Sequence, residues 1–146
     1  MNDEARRCRR FAWTSLAAWG LFGLALEAAH GFKLAAYLDD NLRHTILRLA
    51  HAHGVVLALV VLAFAASLPA GARTSDSDSA GEGVPAARRT GLLLRAGALF
   101  IPAGFALGGI APHEGDPGWP VVLVPVGGLL LVGGLVRMAW RSWLKH

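Results

Sequence analysis

Charged residues are scarce in this sequence: Asp, Glu, Lys and Arg make up 16% of its 146 residues. Soluble domains carry about 25% charged residues, so this chain has too little charge for an ordinary water-exposed surface. Hydrophobic residues reach 54%, and the mean hydropathy is +0.45. This composition excludes a disordered chain, a nucleic-acid-binding domain and an ordinary cytosolic enzyme.

Cysteine is nearly absent, since Cys8 is the only one. A single cysteine excludes a disulfide framework and a CxxC redox pair. The sequence also lacks a glycine-rich phosphate loop, a nucleophile elbow and a Ser/His/Asp arrangement with credible spacing. We therefore expect no enzymatic activity, with a metal-assisted oxidoreductase as the one enzymatic alternative.

Four long apolar stretches dominate the chain, at about residues 11–32, 49–70, 91–111 and 117–136. Each has about the 20 residues that a helix needs to cross the hydrocarbon of a bilayer, and period-2 alternation is missing. Short connections after the first and third stretches predict antiparallel neighbours. The prediction is an all-α fold: a single-domain, four-helix transmembrane bundle running up-down-up-down, with residues 71–89 as a flexible cytoplasmic linker.

The basic residues are distributed unequally between the two ends of these spans. Of the 14 Lys and Arg residues, only Lys33, Arg43 and Arg48 fall on the side of the first and third connections. Cytoplasmic segments carry the excess of Lys and Arg in membrane proteins. We therefore expect both termini in the cytoplasm and a multi-pass protein of the bacterial inner membrane.

Histidines gather on the opposite, outer side. Imidazoles and carboxylates at one membrane face are the components of a metal site, a haem site or a proton relay. His51 and His53 point about 200° apart on a regular helix, so they cannot both line one pocket. Five of the six histidines are outer residues, namely His30, His44, His51, His53 and His113.

Spacing selects a candidate site from this set. Glu27 and His30 are three residues apart and share a helix face. If the first two spans form an antiparallel hairpin, Glu27, His30, Arg48 and His51 come to a similar depth. The candidate cofactor ligands are His30 and His51. The candidate metal ligands are Glu27, His30, His51 and His113, and the candidate cofactors are haem b or a transition metal.

Two interpretations compete with a cofactor site. Glu27 and Arg48 are expected to form an ion pair that avoids an isolated charge in lipid. His30 and His51 are expected to make polar interhelical hydrogen bonds near the membrane surface. A proton or solute path is a further alternative.

Short motifs in all four spans resemble one family. GLALEAAHGFK (residues 23–33) looks like the GAFGAHGLK signature of the small four-span proteins of domain-of-unknown-function family 423, which includes the YgdD-like proteins and transmembrane protein 256. LRLAHAHGVVLALVVL (residues 47–62) is similar to the family's YHALALL stretch, with His51 or His53 in the place of its histidine. GLLLRAGALFIPAGFAL and PVGGLLLVGG resemble its third and fourth spans. The resemblance implies a four-span fold and no mechanism.

Two functions remain open at this point. The first is a structural or accessory subunit of a membrane complex, whose partners are the lipid bilayer and other membrane subunits or a second copy, and not nucleic acid. The alternative is a haem- or metal-binding membrane protein that uses the outer histidine cluster.

Overall fold

The computed structural model describes residues 3–68, 80–110, 112 and 115–143, with the side chains of all but 80–84 and 142. These residues form helices and turns, as the all-α prediction requires. The elements in chain order are α1 (Asp3–Gly31), α2 (Ala35–Leu38), α3 (Asn41–Ser67), α4 (Ala80–Ile110), a short 3₁₀ turn (Trp119–Val122) and α5 (Leu123–Trp143).

Four of these helices are long and apolar enough to cross a membrane, which confirms the predicted number. They extend beyond the apolar stretches. α1 begins at Asp3, and so includes the arginine-rich residues 6–10 that precede the first apolar stretch. α3 begins at Asn41 because the Asp40 side chain accepts a hydrogen bond from the Arg43 backbone N–H at 3.0 Å, a standard N-cap.

The start of α4 differs from the prediction. α4 begins at Ala80, so residues 80–89, which were expected within a flexible linker, are helical. Ala86, Ala87, Arg88 and Arg89 are strong helix formers, and they extend the third span toward its N-terminus. The rest of the predicted linker, up to residue 79, lies outside the described residues.

Consecutive long helices run antiparallel and lie in the order α1, α3, α4, α5. α1 also touches α4, but within the described residues α1 and α5 do not contact each other. The bundle is therefore open on one side. Its core lies among α1, α3 and α4, in a cluster of buried residues: Cys8, Ala12, Leu57, Val61, Phe64, Ala65, Leu94, Ala98 and Ile101.

Glycines bring α4 and α5 into close backbone contact. A Cβ on Gly127 would lie 2.9 Å from the Ile101 backbone nitrogen, and one on Gly97 would lie 2.8 Å from the Gly127 carbonyl oxygen. Both glycines therefore serve helix packing, because a side chain at either position would push α4 and α5 apart. Gly128 and Gly133 differ, because a Cβ on either would meet no atom within 4 Å.

Candidate functional site

A reciprocal contact fixes the α1–α3 hairpin. The His51 ring of α3 lies on Gly23 of α1, where an added Cβ would come within 2.3 Å of it. The Trp19 ring of α1 lies in the same way on Gly54 of α3, also at 2.3 Å. Each helix thus supplies one ring and one glycine, so that the two backbones approach closely.

His51 also makes a hydrogen bond between these helices. Its Nδ1 lies 2.8 Å from the Trp19 carbonyl oxygen. Because a carbonyl only accepts, Nδ1 carries a proton and donates it; when the ring is neutral, Nε2 is then an acceptor. This is the interhelical hydrogen bond that the second interpretation predicted for His51.

A cavity of about 700 Å³ lies beside this contact, between α1 and α3. His51, Glu27, Thr45 and Arg48 supply its polar lining, and the remaining lining residues are glycine, alanine and leucine. The cavity thus contains three of the four residues that were predicted to share a depth, and lacks His30.

The expected ion pair between Glu27 and Arg48 is not formed. Both side chains are exposed, and neither takes part in an ion pair among the described residues. Two opposite charges therefore line one cavity without neutralising each other.

His30 belongs to a different cluster, close to α2. Its ring stacks on His44 with a centroid separation of 6.0 Å, and Tyr37 meets His44 edge-on at 4.8 Å. Tyr37 is buried, and this burial raises the pKa of its hydroxyl; the Arg48 charge lowers that pKa and the Glu27 charge raises it. The short helix α2 thus lies against α1 and α3 at the end of the hairpin where the two histidines are.

The structure does not bring His30 and His51 together. His30 lies beside His44, and His44 is seven residues, or about 10 Å of helix, from His51. The expected equal depth is therefore wrong, because the Trp19–Gly54 and His51–Gly23 contacts set a different register for the hairpin. The two histidines cannot flank one haem iron in this arrangement.

The predicted metal ligands do not form a group either. Within the part of the chain that the structure describes, no three His, Cys, Asp or Glu side chains are placed to hold a metal ion. Glu27 lines the cavity, His30 lies with His44, and His51 bonds to Trp19. His113 lies outside the described residues.

His53 confirms the prediction that it faces away from His51. Its Nδ1 lies 2.8 Å from the Leu49 carbonyl oxygen of its own helix. Its ring lies 5.1 Å from the ring of Phe105 in α4. The two histidines therefore face different neighbouring helices, as a regular helix requires.

Sequence reasoning missed a buried polar cluster at the other end of the bundle. Arg95 Nη2 of α4 donates to Glu4 Oε1 of α1 at 2.8 Å, and the Cys8 thiol donates to the same oxygen at 3.4 Å. Glu4 is 5% exposed, and a Cβ on Gly91 would lie 2.3 Å from Glu4 Oε1. The available signal was Arg95 itself, a charge inside an apolar span that requires an acidic partner.

Comparison of the chain with protein-family models, curated proteins and solved structures finds no match. The functional argument therefore depends on the geometry described above.

Proposed function

We propose that this chain is a multi-pass inner-membrane protein, with both termini in the cytoplasm, that serves as an accessory subunit of a membrane complex. The orientation is supported by the basic residues, which concentrate at the end of the bundle that holds Glu4 and Arg95. Membership of family 423, which the motifs of the four spans suggest, is part of this proposal.

The accessory role rests on the face of α5 that points away from α4. Among the long helices, α5 contacts only α4 in the described residues, so most of its surface is exposed. The exposed side carries apolar residues at alternating spacings of three and four, the pattern of a helix-packing seam. The residues of this α5 stripe are Val126, Leu129, Gly133, Val136 and Trp140.

Lipid alone would also cover an apolar face, so the open glycine is what favours a helix partner. Gly133 has no neighbour within 4 Å of an added Cβ, unlike the glycines that face α4. Small residues on a membrane helix permit close backbone approach by another helix, which is the main source of packing energy between helices in lipid.

Substitution of the open glycine tests the accessory role. Gly133→Leu is expected to fold, since the side chain enters open space, but to release the chain from its complex. Blue-native electrophoresis of membranes solubilised in mild detergent would show a shift from a large species to the isolated chain. Gly128→Leu is the matched control, because Gly128 on the same helix also has open space but lies outside the α5 stripe. A wild-type chain that migrates only as a monomer would contradict the proposal.

The haem- or metal-binding alternative retains one supporting observation, at His51. An imidazole that donates Nδ1–H to a backbone carbonyl has the orientation typical of a metal-bound histidine, with Nε2 available as the ligand. The test is the visible spectrum and metal content of the purified protein, compared with His51→Ala. A colourless wild type without stoichiometric metal would eliminate this alternative.

A further inference from the structure

We propose that the cavity between α1 and α3 binds a glycerophospholipid whose headgroup carries a phosphate and a primary ammonium, the phosphatidylethanolamine class. Arg48 binds the phosphate, and Glu27 accepts hydrogen bonds from the ammonium. This inference depends on the membrane placement proposed above and is independent of the accessory role.

The cavity is charged at one end and apolar at the other, which matches an amphiphilic ligand. Because α1 and α3 are antiparallel, Glu27 and Arg48 lie toward its outer end, whereas Gly20 and Ala52 lie deeper. The outer end therefore presents charge at the depth of the headgroups, and the deeper end presents small apolar residues at the depth of acyl chains. A soluble ion would use only the outer end.

The opposite charges of Glu27 and Arg48 favour a ligand that carries both a positive and a negative group. Glu27 and Arg48 line the same cavity, and neither has an ion-pair partner among the described residues. Charged side chains in membrane spans are almost always paired because an unpaired charge in lipid is costly. A zwitterionic headgroup neutralises both side chains at once.

Headgroup chemistry separates the lipid classes. The phosphate of a phosphatidylglycerol headgroup can pair with Arg48, but this headgroup has no positive group to pair with Glu27. A choline headgroup is zwitterionic, yet its quaternary nitrogen has no N–H to donate to the carboxylate. An ethanolamine ammonium has three N–H donors, and hydrogen bonds between charged groups are about twice as strong as neutral ones. The expected order is therefore ethanolamine above choline and glycerol.

Native mass spectrometry of the purified full chain tests this order. The protein in detergent is titrated separately with phosphatidylethanolamine, phosphatidylcholine, phosphatidylglycerol and soluble phosphoethanolamine. We expect one phosphatidylethanolamine bound per chain, about tenfold more tightly than the other two lipids, since one charge-assisted hydrogen bond gives at least that factor. Phosphoethanolamine, which lacks acyl chains, is expected not to bind in the same concentration range.

Substitutions locate the binding. Glu27→Gln should remove the preference for ethanolamine over choline. Arg48→Gln should lower the affinity for all three lipids by about tenfold. Asp39→Asn and Lys33→Gln, which remove exposed charges near the same end of the hairpin, should leave binding unchanged.

Three results would overturn the proposal: equal binding of all three lipids, a preference for phosphatidylglycerol, or an ethanolamine preference that survives Glu27→Gln. Tight binding of phosphoethanolamine would assign the cavity to a soluble ligand instead. The accessory role fails separately, since Gly133→Leu changes the native assembly and lies on α5, away from this cavity.

Discussion

At the scale of single residues, Glu4 is the carboxylate that the structure buries most completely beside a cation. Its partner Arg95 is 20% exposed, and the two atoms lie 2.8 Å apart. Removal of one member of a buried ion pair leaves the other charge uncompensated. We expect Glu4→Gln to lower the free energy of unfolding by about 2 kcal/mol, measured by denaturant titration in mixed micelles.

Asp3→Asn is the matched control for this substitution. Asp3 also pairs with an arginine, Arg6, but the two side chains are 74% and 50% exposed. Exposed pairs contribute between 0 and about 1 kcal/mol, so this variant should unfold like the wild type. Equal stability of the Glu4 and Asp3 variants would show that the buried pair does not hold α1 on α4.

The same residues show where sequence reasoning failed. Arg95 is identifiable from the sequence as a charge within an apolar span. Glu4, in contrast, belongs to a highly charged segment, and such a composition predicts exposure to water. The pairing depends on where α1 begins and which of its faces meets α4, and these follow from the packing of Ala5, Cys8 and Ala12. The predicted equal depth of His30 and His51 failed because it depended on the register between α1 and α3, which the sequence does not specify.

At the scale of helices, adjacent glycines on α5 have opposite environments. A Cβ on Gly127 would crowd the Ile101 backbone at 2.9 Å, whereas one on Gly128 would meet nothing within 4 Å. Gly127→Val should therefore force α4 and α5 apart and cost about 2 kcal/mol of stability, within the range of overpacked cores. Gly128→Val should have little effect.

Thermal unfolding of the two variants in detergent measures this difference. Both substitutions introduce the same β-branched residue into the same helix, one position apart, so the loss of intrinsic helix stability cancels between them. A similar loss in both variants would mean that backbone flexibility, and not the α4–α5 contact, sets the requirement for glycine. The sequence places several glycines in the spans, but it does not show which glycine faces which helix.

At the scale of the whole molecule, the number and type of helices could be predicted because the hydrocarbon thickness requires long apolar segments. The register of neighbouring helices could not be predicted. It depends on individual contacts, such as Trp19 on Gly54, which no periodicity in either helix specifies. The open arrangement, with α1 and α5 apart, leaves the α5 stripe available to a partner.

Orientation in the membrane is testable because the single cysteine is buried. Cys8 is fully buried, so the wild type should react little with a membrane-impermeant maleimide. Asp39 and Asp3 are both exposed and lie at opposite ends of the bundle. The unequal distribution of Lys and Arg predicts that Asp39→Cys is labelled in intact spheroplasts, whereas Asp3→Cys is labelled only after the membrane is permeabilised.

Labelling of Asp3→Cys in intact cells would reverse the topology, and it would move the cavity between α1 and α3 to the cytoplasmic leaflet. Labelling of both variants would indicate a mixture of orientations. Asp39 is preferred to its neighbour Asp40 as the labelling site, because the Asp40 side chain caps α3 and its replacement would disturb the start of that helix. Wild-type protein treated in parallel measures any residual labelling of Cys8. This background must be low compared with the labelling of the two cysteine variants.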